Sequence, residues 1–153
     1  MKTFFSLIAI FTCLFVHLPL QAAESDLVEY YSASSDAERK LPFSDAVRVG
    51  NLLFLSGKLG NIPGTTELAP GGIQGETRQT LENIKSTLER LGSSMGEVIK
   101  CTVFLADISE WAAMNEVYIQ YFPEHPPARS ALGSSGLALG ARTEIECVAT
   151  VGL

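Results

Sequence analysis

Pro127-Ala128-Arg129-Ser130 is followed, fifteen residues beyond its arginine, by Glu144-Ile145-Glu146. Arginine presents a planar fork of N–H donors that grips a carboxylate through two parallel hydrogen bonds. A glutamate can carry a proton to or from a reacting atom. An arginine on one strand facing a carboxylate on the next suits a small carboxylate-bearing molecule with acid–base chemistry beside it. Spacing alone leaves a plainer reading open, with Arg129 pairing with some surface glutamate and Glu144 and Glu146 as solvated strand residues. The tight Pro126-Pro127 approach argues for an arginine held in place.

The other candidates are weaker. Ser56 precedes Gly57 as a polar group at a strand end, with no base beside it to make it a nucleophile. Lys58 reads as a solvated charge. Asn115 falls inside a helical stretch, where asparagine is a poor helix former, so it needs a hydrogen-bonding reason. His125, between Glu124 and Pro126, reads as a loop residue. The glycine-rich stretches lack the Lys-Ser or Lys-Thr of a phosphate-cradling loop, and Gly133-Ser134-Ser135-Gly136 reads as a turn.

The 153 residues begin as a secretory leader does. Lys2 supplies the positive start, Phe4 to Leu18 the apolar core, and Gln21-Ala22-Ala23 the small residues for cleavage. The apolar run is short for a membrane span, which needs about 20 residues. The expectation is a signal peptide over 1–23, one domain over 24–153, export to the periplasm or beyond, and no stable membrane association after cleavage. Removal of Lys2 moves the formal net charge from −6 to −7. Such an acidic domain is ill suited to phosphate backbones, which are gripped by clustered Lys and Arg, so no nucleic-acid partner is expected. Two cysteines, Cys101 and Cys147, and one histidine, His125, follow the leader. They make neither a disulfide framework nor a histidine metal site, and no metal is expected.

Elements that position these residues are visible as patterns. Ala46–Val49 and Leu52–Ser56 flank Gly50-Asn51, a two-residue hairpin signal. Leu81, Ile84, Leu88 and Leu91 recur at helical spacing from about Gln74, and Gly92 is a stop. Glu97–Leu105 reads as a strand. Asp107 or Ser109 caps a second helix whose Trp111, Met114, Val117, Tyr118 and Tyr121 form a stripe for core packing, ended by Pro123. Ala128–Leu132 and Arg142–Val151 read as the last strands. Ile99, Cys101, Val103 and Leu105 make one uniformly apolar face, as do Ile145, Cys147, Ala149 and Val151. Two helices cover that face; the opposite face mixes charge and apolar groups and reads as a subunit-facing surface. Both cysteines fall on the apolar face and read as buried small hydrophobes rather than a bridge.

In order along the chain, Ala46-Val47-Arg48-Val49-Gly50-Asn51-Leu52-Leu53-Phe54-Leu55-Ser56-Gly57, Thr80-Leu81-Glu82-Asn83-Ile84-Lys85, Val98-Ile99-Lys100-Cys101-Thr102-Val103-Phe104-Leu105, Met114-Asn115-Glu116-Val117-Tyr118, Pro127-Ala128-Arg129-Ser130 and Glu144-Ile145-Glu146 resemble the RidA/YjgF family. The resemblance runs from about Val28 to Val151. It implies a chorismate-mutase-like α+β fold, a single mixed sheet with two helices on one face, assembled as a homotrimer with sites between subunits. It also implies cofactor-free hydrolysis of reactive enamines and imines, of the 2-iminopropanoate and 2-iminobutanoate type, to 2-oxo acids and ammonia. Carried over by motif, Arg129 binds the substrate carboxylate and Glu144 is the acid–base residue, while Phe43, Ser56, Asn115 and Ala131 line the pocket.

Three positions depart from the family pattern. Leu41-Pro42-Phe43 stands where Gly-Pro-Tyr is common, Lys58 replaces a frequent glutamine, and Ala131 replaces a frequent cysteine. Phe43 can pack on a ligand but offers no phenolic hydrogen bond. Besides the deaminase, the residues allow a non-catalytic binder of small carboxylates. Ribonuclease activity, a label often attached to the family, is the reading this acidic chain supports least.

Overall fold

The computed structural model describes residues 28–32 and 41–152. The leader expected over 1–23, with Cys13, lies outside the described residues. Nine main elements follow in order: strands β1 (Val28–Tyr31), β2 (Ala46–Val49), β3 (Leu52–Leu55) and β4 (Lys58–Leu59), helix α1 (Gly72–Arg90), strand β5 (Val98–Leu105), helix α2 (Trp111–Tyr118), and strands β6 (Ala128–Gly133) and β7 (Thr143–Thr150). Gly50 takes the positive φ of 58° that the β2–β3 hairpin demands. Gly92, at φ 79°, ends α1. The carboxylate of Asp107 accepts from Ser109 N–H and caps the approach to α2. Short β1 and β4 carry too few residues to show a period in sequence, and neither was expected.

All strands join one seven-stranded sheet in the order β1-β2-β3-β7-β5-β6, with β4 also on β7. Only β5 and β6 run parallel, so the sheet is mixed. Leu53, Cys101, Val103, Leu105, Ile145, Cys147 and Ala149 turn to one face, where Leu81, Ile84 and Leu88 of α1 and Met114 of α2 bury them. The α+β fold with two helices on one face is therefore present. The other face carries Phe54, Lys100, Thr102, Glu146 and Val148 around a shallow cleft of ≈ 180 Å³. Among the described residues, no helix is long and apolar enough to cross a membrane.

Two irregularities change which side chains face the helices. On β5 the pairing to β7 slips between Val98 and Lys100. The extra residue reverses the alternation, so Val98 is 5% exposed and Ile99, expected on the apolar face, is 47% exposed. The second lies between β3 and β4. Phe54 pairs with Val148 and Lys58 with Ile145, so one strand spends a residue more than the other around Ser56-Gly57.

The cysteines also differ from expectation. Pairing of β5 with β7 sets Cys101 directly opposite Cys147, with Cα atoms 4.1 Å apart, and the two form a disulfide. Alternation put both on one face, but adjacency of strands 46 residues apart has no local signature. Closing a loop of that length restricts the unfolded chain, an effect of about 4 kcal/mol at its upper end. Folded protein is expected to show no free thiol at Cys101 or Cys147 in a thiol titration. Its unfolding midpoint should fall by the equivalent of about 2–4 kcal/mol once the bridge is reduced; equal stability with and without reductant would contradict the bridge.

Candidate active site

Proline at 126 and 127 keeps the chain extended into β6, so Arg129 enters the sheet at a fixed register, opposite Cys101. That register turns its side chain toward the helices. There Arg129 Nη1 donates to Asn115 Oδ1 at 2.7 Å. Its guanidinium carbon lies 4.6 Å from the Tyr118 ring centre and 5.8 Å from that of Trp111. Cation–π attraction and the amide oxygen together hold the planar group. Asn115 thereby has the partner its place in a helix demanded. The stripe on α2 divides: Met114 and Val117 are core, whereas Trp111 is 45% exposed and Tyr118 doubles as a floor for the arginine. Burial pushes the Tyr118 phenol up to about 12, against the pull of the Arg129 charge, so it stays neutral. Among the described residues no carboxylate lies within ion-pair reach of Arg129. A cleft of ≈ 470 Å³ opens beside it. Ala131, two residues along β6, shares the helix-facing side and packs partly against the core.

Glu144 sits on β7 opposite Phe104 and Leu59, on the other face of the sheet. The strand break at Ser56-Gly57 makes room for it. A Cβ added at Gly57 would lie 2.8 Å from Glu144 Cδ and closer still to Oε1, so the carboxylate rests on bare backbone. Burial raises its pKa above the ordinary glutamate range, and the negative charge of Glu146 adds to that. From α1, buried Glu76 accepts Arg142 N–H at 2.7 Å and fixes the chain entering β7.

The segment before β2 is tied to the same break. Ser56 Oγ donates to the Ser44 carbonyl at 2.6 Å, and Ser56 N–H donates to the Asp45 carbonyl. Buried Asp45 pairs with Lys58 and with Arg90 at the end of α1. Lys58 is therefore no solvated charge: the extra residue at Gly57 turns it to the helix side, onto Asp45. A buried carboxylate stripped of such partners would be strongly unfavourable. Anchored at Ser44 and Asp45, the chain leaves Phe43 58% exposed.

The expected site residues thus fall into two groups. Phe43, Ser56 and Glu144 gather at the strand break; Arg129, Asn115 and Ala131 gather at the β6 edge under α2. Within one chain the groups do not meet. Strand β5 separates β6 from β7, and Arg129 and Glu144 point to opposite faces. The expectation that the arginine faces the carboxylate on the adjacent strand is corrected accordingly. Sequence reading passed over Gly57, Glu76, Trp111 and Tyr118 as parts of the arrangement. The Ser-Gly pair at a strand end was the one available signal for Gly57.

Comparison with known proteins bears on the family and the fold. The family model described as Endoribonuclease L-PSP matches residues 35–151. A RutC family protein of Pyrococcus horikoshii is 47% identical over 108 residues, covering 71% of this chain and 86% of the relative. The 2-iminobutanoate/2-iminopropanoate deaminase of Capra hircus is 43% identical over 111 residues, covering 72% and 81%. The crystal structure of E. coli TdcF with bound serine superposes with a TM-score of 0.69 at 34% identity, over 80% of this chain and 94% of that one. With the motif order, the mixed sheet and the two helices in place, the chain belongs to the Endoribonuclease L-PSP family, also called RidA/YjgF.

Proposed function

We propose that this protein is a cofactor-free deaminase that hydrolyses reactive enamine and imine derivatives of 2-oxo acids, releasing the 2-oxo acid and ammonia. One observation carries the reading: a half-buried arginine, held by Asn115 and two aromatic rings, has no carboxylate of its own among the described residues. Ion-pair donors prepared in this way suit an incoming carboxylate. Relatives at about 40% identity named as 2-iminobutanoate/2-iminopropanoate deaminases support the reaction class.

In this reading three copies assemble, and the β6 edge of one meets the strand break of the next. Exposed Phe54 and Ile99 on the mixed face suit such packing. Arg129 and Asn115 of one copy then hold the substrate carboxylate, with Ala131 beside them. Phe43, Ser56 and Glu144 of the next copy supply the opposite wall. Glu144 passes a proton to the imine nitrogen and takes one from the attacking water. The C=N bond is replaced by C=O, and nitrogen leaves as ammonia. A raised pKa suits this shuttle, because an ordinary glutamate is a poor acid near neutral pH. Export through the leader at 1–23 belongs to the same proposal; the Cys101–Cys147 bridge supports an oxidising compartment.

The test follows 2-aminoacrylate or 2-iminobutanoate generated in situ. Wild type should accelerate its loss. Arg129→Ala should lower kcat/KM about 100-fold or more, since two charge-assisted bonds go, and Glu144→Gln should lower kcat by about 10²–10⁴-fold. No acceleration by well-folded wild type, with saturable binding of 2-oxo acids, would instead establish a non-catalytic carboxylate binder. Gly57→Ala should leave the fold intact, because the group it displaces is the end of a side chain, yet cost about 100-fold in kcat through the moved carboxylate. Unchanged kcat would remove Glu144 from the mechanism. Because the folded-state pKa of Glu144 is raised, its contribution to stability is full at low pH and is lost as pH rises through that value. Denaturant unfolding should accordingly show Glu144→Gln gaining on wild type as pH rises from about 4 to neutrality; parallel pH curves would contradict the raised pKa.

A further inference from the structure

Arg129 lines a cleft much larger than a three- or four-carbon acid. Its volume of ≈ 470 Å³ falls within the range of small-molecule pockets, about 300–1,000 Å³. Beyond Arg129 and Asn115 the walls are Tyr118, Ile119, Phe122 and Pro127, apolar apart from a neutral phenol. Phe122 is buried and packs against Tyr118 with ring centres 4.8 Å apart, so that wall is rigid. Ile119, in contrast, is 66% exposed while lining the same cleft, so its side chain is free to meet a ligand there. A cation and an apolar wall lining one cleft match a carboxylate with a bulky apolar tail.

From this arrangement we propose that the cleft between α2 and the Pro126-Pro127 approach is a side-chain subsite. Its ligands are 2-imino and 2-oxo acids whose side chains are branched-aliphatic or aromatic, with the carboxylate on Arg129 and the tail along Ile119 and Phe122. The proposal rests on the reading of Arg129 as the carboxylate holder, but not on catalysis. Reactions that convert branched or aromatic amino acids to their 2-imino acids are the class that would supply such a substrate.

Binding of pyruvate, 4-methyl-2-oxopentanoate and phenylpyruvate to the wild-type protein, measured by calorimetry or ligand-observed NMR, tests it. The two larger acids should bind at least about tenfold more tightly than pyruvate, as burial of several apolar carbons requires. Ile119→Trp, which fills the cleft from an exposed position, should shrink that ratio below about threefold; Arg129→Ala should weaken all three acids. Equal affinity for the three acids, or a ratio untouched by Ile119→Trp, overturns the subsite. The outcomes separate from those of the proposed reaction. A retained preference without imine hydrolysis sinks the deaminase and leaves the subsite, whereas rapid hydrolysis of small imines without preference does the reverse.

Discussion

Antiparallel pairing of β5 with β7 is the constraint on which the other features depend. Its register places Cys101 against Cys147, Val103 against Ile145 and Phe104 against Glu144. Because strand side chains alternate, that single register sends the cysteines and branched aliphatics under α1 and α2 and leaves Glu144, Glu146 and Thr102 on the open face. Strand β6 adds in parallel on the far side of β5, with Arg129 in the row of the two cysteines. A slip of one residue on β5 would turn its own side chains to the opposite face. The disulfide ties the two strands at the middle of the row and holds this register.

Around that frame, each candidate group is held by something other than its neighbours in sequence. Gly57 clears space for Glu144, Glu76 fixes the entry to β7, and the Asp45–Lys58–Arg90 cluster anchors the segment before β2. On the other edge, Asn115, Tyr118 and Trp111 hold Arg129. The outcome is two rigid half-sites on opposite faces and opposite sides of β5. In the proposed reaction neither is complete alone, since one lacks a cation for the substrate carboxylate and the other a proton carrier. The proposed assembly brings the two halves together from different copies.

Much of this was legible in the sequence. Helical spacing of Leu81, Ile84 and Leu88 marked α1, Gly50-Asn51 marked the hairpin, and alternation around Ile145 and Cys147 divided the faces of β7 correctly. The family-like order of motifs supplied the candidate site residues. What escaped depends on contacts between distant segments. Strand adjacency decided the disulfide, and the extra residue near Gly57 turned Lys58 from solvent to Asp45. The slip at Val98–Lys100 exposed Ile99. A bulge of one residue leaves the composition of a strand unchanged while reversing its faces, so periodicity cannot reveal it. The relation of Arg129 to Glu144 needed the strand order, which no spacing of fifteen residues contains.

The division of the site between copies can be measured directly by co-expressing Arg129→Ala and Glu144→Gln chains in equal amounts and assaying the mixed assemblies for imine hydrolysis. A site built across two copies draws an intact Glu144 from one variant and an intact Arg129 from the other in about a quarter of the interfaces of a cyclic assembly. The account predicts recovery to roughly that fraction of wild-type activity. Mixed assemblies no more active than either variant alone would contradict it.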